Sequence, residues 1–142
     1  MNELIKRVDE LEDKIHENLH DYPLFQETLD EIYDKRFPEI EKLLIKNEEF
    51  YIREAIKKLN KLNEYIINTS KEIDKQYKLF DKQCIEWNKY VYINADKDIV
   101  SSMNEKSHKA NKLINSHKLE DLVEANKIMH DLINKAKYYN NK

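Results

Sequence analysis

From Glu39 to Lys142 the chain contains neither glycine nor proline, and no other feature constrains its fold as strongly. Glycine supplies left-handed turns at little steric cost, and an interior proline breaks a helix. A long stretch without either has lost its cheapest turns. Inside it an apolar register of alternating four and three residues runs Ile52, Ile56, Leu59, Asn63, Ile66, Ser70, Ile73, Tyr77, Phe80, Cys84, Trp87, Val91. A repeat near 3.5 residues per turn presents one seam to a neighbouring helix, so these positions are the expected seam or interface. One column (Ile52, Leu59, Ile66, Ile73, Phe80, Trp87) is apolar throughout. The other turns polar at Asn63 and Ser70.

The pattern predicts a long helix over residues 48–93, about 60 Å at 1.5 Å per residue. Asn47 is its expected N-cap, with Glu48 and Glu49 complementing the helix dipole. Thr69 and Glu72 have capping-box spacing, which offers a rival break at Asn68-Thr69-Ser70. The register passes through those residues unchanged, and an inserted loop would reset it, so one continuous helix is favoured.

Shorter amphipathic segments flank it. Leu4, Val8, Leu11, Ile15 and Leu19 form one stripe over residues 2–20. Pro23 suits the first turn of a second helix capped by Asp21 or Tyr22, with Leu24, Phe25, Leu29, Ile32, Tyr33, Ile40, Leu43 and Leu44 inward. Pro38 predicts a kink or short break, because proline disfavours helical geometry at Phe37. Beyond the long helix, Asn94 or Asp96 caps a fourth with Ile99, Met103, Ala110, Leu113 and Ile114 inward. A fifth carries Leu119, Leu122, Val123, Met129, Leu132, Ile133 and Ala136, and residues 138–142 read as a frayed tail.

The expected fold is therefore all-α: an elongated bundle of about five helices in a single domain, residues 1–142. An N-terminal hairpin (1–46) and a C-terminal hairpin (95–137) flank the long central helix and fold back on its two halves. An intermolecular coiled coil along the same seam competes, so a homo-oligomer through the long helix stands beside the intramolecular bundle.

Charge narrows the partners. The net charge is -3, but residues 1–50 hold 15 acids against 7 bases while the remainder is mildly basic. Arginine is almost absent and no basic patch is interleaved with aromatics, which argues against direct nucleic-acid binding. No apolar run approaches the roughly 20 residues that span a bilayer, so no membrane association is expected. The N-terminus is charged throughout, and a single cysteine excludes an internal disulfide. A cytoplasmic location is expected.

Three groupings carry the residue types of catalysis. His16-Glu17-Asn18-Leu19-His20 matches the zincin pattern, in which two histidines one turn apart bind zinc and the glutamate activates water. It ends a short helix, with no strand to align a substrate and no identifiable third ligand. Glu17/His20 and Glu105/His108 form two Glu-x-x-His pairs of di-iron type, yet each lies about 140–160° from its helix's apolar stripe and so faces solvent. Cys84 sits on the seam with no histidine within a turn to lower its pKa, which reads as a structural thiol. No catalytic residue, cofactor or metal is expected, and without glycine no phosphate-binding loop can form.

The final hairpin, Ala110-Asn111-Lys112-Leu113-Ile114 with Leu119-Glu120-Asp121-Leu122-Val123-Glu124-Ala125-Asn126 and Met129-His130-Asp131-Leu132-Ile133, resembles the C-terminal helical lid region of DnaK-type heat-shock chaperones. More loosely, so do Glu41-Lys42-Leu43-Leu44 and Ala55-Ile56-Lys57-Lys58-Leu59. The resemblance implies a lid or adaptor without ATPase activity. The expected function is thus a non-catalytic protein–protein interaction module, chaperone-associated, with Tyr65, Tyr77, Trp87 and Tyr90 as candidate anchors. An acidic inhibitor or antitoxin-like protein blocking a cationic, nucleic-acid-binding protein is the alternative, and a zinc-dependent hydrolase using His16, Glu17 and His20 a remote third.

Overall fold

Each predicted stripe becomes a helix, and a computed structural model describes all residues, 1–142. The helices are α1 (Asn2–Asp21), α2 (residues 26–45), α3 (Glu49–Trp87), α4 (Lys97–Ile114) and α5 (Leu119–Asn140). There is no strand. The long helix runs unbroken through Asn68, Thr69 and Ser70, as the uninterrupted register requires. The chain divides into two compact units, Met1–Glu72 and Ile73–Lys142.

In the first unit Val8, Leu11 and Ile15 of α1 meet Ile32 and Ile40 of α2, together with Ile52, Ala55, Leu59, Leu62 and Ile66 of α3. Burying side chains of this size stabilises by about 1.5–3 kcal/mol each before entropy is charged. In the second, α4 packs against α5, and Met103, Ala110, Leu122, Ala125, Met129, Leu132, Ile133 and Ala136 are buried, as are Ile73 and Phe80 of α3.

The buried stripe of α3 is wider than its sequence seam. Ile52, Leu59, Ile66, Ile73 and Phe80 lie along its middle, with Asn63 and Ser70 on one flank as expected. The other flank, at multiples of seven residues, holds buried Ala55, Leu62, Gln76 and Gln83, with Thr69 half-buried between them. A helix gripped by two neighbours buries a broad face instead of a narrow two-column seam.

The ends of the elements depart from expectation. The long helix stops at Trp87, not residue 93, and Val91 lies outside it. Asn47 is not the N-cap. It adopts φ 50 between α2 and α3, and His117 adopts φ 61 between α4 and α5. With no glycine available, asparagine is among the residues that enter the left-handed region at least cost. Pro23 falls in the linker before α2, whose N-cap is Phe25 in extended geometry.

Pro38 neither breaks nor ends α2. The turn before it, Ile32–Arg36, widens to a π-helix, and Phe37 keeps helical angles of φ -62 and ψ -46. A proline ring collides with the carbonyl four residues back, and the wider turn moves that carbonyl aside. The tail is not frayed either: α5 continues to Asn140, whose Nδ2 donates to the Tyr92 carbonyl at 2.9 Å while its Oδ1 accepts from the Asn94 backbone N–H at 2.8 Å.

Candidate functional site

The seam proposed as an interface is occupied by the chain's own helices. Ile52, Leu59, Asn63, Ile66, Ser70, Ile73 and Phe80 are buried, while Ile56, Tyr77, Cys84 and Trp87 are half-buried. Its polar member Asn63 is paired, not waiting: Asn18 Nδ2 donates to Asn63 Oδ1 at 2.9 Å, and Asn63 Nδ2 reaches the Leu11 carbonyl at 3.4 Å. Val91 is the exception and must be struck from the seam, because it is 96% exposed. The helix ends four residues earlier, and the chain has turned before it arrives.

A second polar layer lies in the other unit, and no periodicity along the chain marks it. Asn126 of α5 sits between Gln76 and Gln83 of α3. Its Nδ2 donates to Gln76 Oε1 at 2.7 Å and to the Gln76 carbonyl at 2.9 Å. Gln83 Nε2 in turn donates to Asn126 Oδ1 at 2.9 Å and to the Asn126 carbonyl at 3.1 Å. No buried side-chain nitrogen or oxygen is left without a partner. Such amide clamps fix the axial register of packed helices, because sliding by one turn would bury them unpaired. They serve the fold.

The zincin-like pattern does not assemble. His16, Glu17 and His20 are exposed on α1; His20 Nδ1 lies 3.1 Å from Asp21, and Glu17 lies 3.6 Å from Lys14. Glu105 and His108 are also exposed. No group of three His, Cys, Asp or Glu side chains is placed to hold a metal ion. The Cys84 thiol is half-buried and pushed above its ordinary value, first by burial and then by Asp81, the opposite of an activated nucleophile.

Three of the candidate anchors make contacts within the fold. Tyr65 donates to Glu31 Oε2 at 3.4 Å, and the Arg36 guanidinium stacks 3.9 Å above its ring. Trp87 and Tyr90 pack with ring centres 6.5 Å apart. The apolar groups that remain outside are different ones.

In the second unit Ile85 is 65% exposed, Tyr92 is 70% exposed and Val91 almost fully so. Ile85 lies about 140° round the helix from buried Phe80, which places it among lysines. Lys78, Lys82, Ile85 and Lys89 follow one another at helical spacing and, with Asp81, Glu86 and Tyr90, line a groove of about 540 Å³. Lys78 is paired with Asp74 at 2.8 Å and Glu86 with Lys137 at 3.2 Å. An apolar floor with a cationic border is the chemistry this groove offers. In the first unit Ile45 and Phe50 stand exposed on either side of the α2–α3 turn, and Ile45 lines a depression with Lys42, Leu43, Lys46 and Lys58.

No protein-family model, curated protein or solved structure matches this chain. No helix is long and apolar enough to cross a membrane.

Proposed function

We propose that this chain is a non-catalytic helical interaction module that binds protein through the groove over Ile85. The observation that carries this reading is the placement of Ile85, Val91 and Tyr92. Ile85 is left in solvent within a groove bordered by lysines, and Val91 and Tyr92, next in sequence to Tyr90 of its lining, are exposed as well, in a unit whose buried polar groups are already satisfied. Exposed apolar side chains ringed by charge are the usual composition of a recognition surface. The chaperone-associated form of the reading, a lid or adaptor, rests on the resemblance of the final hairpin.

The test compares the full chain with an Ile85→Asp/Val91→Asp variant as bait against proteins of the source cell. Loss of a specific partner from the variant, with far-UV circular dichroism unchanged, is the expected result. Equal recovery by both baits overturns the reading.

The acidic-inhibitor alternative has one observation in its favour. The Glu12 carboxyl is raised by partial burial and then by crowding from Asp9, Asp13 and Glu41, with only His16 opposing. A surface under that repulsion gains by meeting cations. Inhibition of a cationic nuclease that weakens steeply with salt is its signature, and salt-independent behaviour removes it.

A further inference from the structure

We infer that the occupant of the lysine-bordered groove is a second copy of this chain, which presents the outward face of its α1. The inference rests on the reading just given and names the partner of that surface.

Charge is the first support. The unit Met1–Glu72 holds 18 acids and 12 bases, whereas Ile73–Lys142 holds 10 acids and 13 bases. Like units of two copies repel and unlike units attract, which favours a head-to-tail contact over a self-matched one.

Spacing is the second. On α1 the core takes Val8, Leu11 and Ile15, so Glu3, Glu10 and Glu17 are exposed at intervals of seven, with Asp13 beside them. On the outer face of α3, Lys75 and Lys82 are exposed seven residues apart, with Lys78 and Ile85 beside them, and exposed Lys89 follows just past the helix end at Trp87. Seven residues advance a helix by about 10.5 Å, so Glu10 and Glu17 can meet Lys75 and Lys82 at equal spacing, as e and g positions do in paired helices. Ile85 supplies apolar contact beside the lysines.

Weak internal pairing is the third. The ion pairs already on the two faces, Arg7–Glu10, Lys14–Glu17 and Lys78–Asp74, are all exposed. Pairs of that kind contribute little and exchange partners readily.

Sedimentation equilibrium of the full chain over a wide concentration range tests the contact. At about 50 mM salt the weight-average mass is expected to climb above the 17.3 kDa of one chain. Raising salt to about 500 mM should weaken association by at least roughly tenfold, since exposed charges are then screened. Charge reversal gives the decisive arm. A Lys82→Glu/Lys89→Glu chain and a Glu10→Lys/Glu17→Lys chain should each stay at the mass of one chain, and an equimolar mixture should associate again. All four positions are exposed, and circular dichroism checks that both variants remain helical.

A parent chain that stays at one-chain mass at low salt, or variants that associate alone as the parent does, overturns the inference. If the parent does not self-associate but the Ile85→Asp/Val91→Asp bait loses a different protein, the occupant is wrong and the interaction reading stands. If neither effect is seen, both fall.

Discussion

Individual residues in this protein are decided by whether a side-chain amide finds its partner. Asn126 bridges two glutamines, and replacing it with alanine removes its side-chain bonds to both while Gln83 keeps the residue-126 carbonyl. Weakening buried amide pairing costs about 1–3 kcal/mol, so Asn126→Ala should lower stability by about that amount in urea unfolding followed by Trp87 fluorescence. Replacing Gln76, Gln83 and Asn126 all with leucine should recover most of that loss, because an apolar layer needs no partners. A triple variant no more stable than Asn126→Ala contradicts the clamp. Glu12 gives a pH-dependent case. Its folded carboxyl titrates above the ordinary value of 4.5, so between that value and the folded one the native state binds more protons than the unfolded. Stability therefore falls as pH rises through that window, and the full penalty holds above it. Glu12→Gln should raise the melting temperature at neutral pH, and the advantage should vanish below the ordinary carboxylate range. An advantage that persists in acid refutes the repulsion account.

At the scale of the element, apolar periodicity placed five helices and failed at their ends. The stripe of α3 was legible because it repeats over a length that no loop interrupts. Its stop at Trp87 was not, since Val91 keeps the register by coincidence after the helix has ended. Asn47 was misread for a related reason: asparagine suits both an N-cap and a left-handed turn, and only the backbone angle tells them apart. Asn47→Gly should then be neutral or slightly stabilising, whereas Asn47→Val should cost about 1–2 kcal/mol in thermal unfolding. Equal melting temperatures for the two would remove the left-handed assignment. At the turn before Pro38 a local rule predicted a kink or a short break, and the helix did not break but widened around the proline. Continuity of α3 is checked by hydrogen exchange, which should protect the amides of residues 68–72 as well as those one turn on either side.

For the molecule as a whole, the question is which surfaces the two units leave unused. Ile85 and Val91 contribute little to the core, so Ile85→Asp/Val91→Asp should shift unfolding by less than about 0.5 kcal/mol per site. A cooperative loss of structure would mean that these side chains hold the fold. Cys84 should react slowly with a thiol reagent at neutral pH and rapidly once urea exposes it, because burial and Asp81 both hold its proton. The sequence by itself determined the all-helical class and most of the inward stripe of each helix, because helical period and the lack of glycine are properties of the chain read along its length. Only the tertiary structure decided that Gln76, Gln83 and Asn126 form one clamp and that Asn63 pairs with Asn18. Those groups lie 43 to 50 residues apart in sequence, and no periodicity within a single helix records which partner a buried amide will meet.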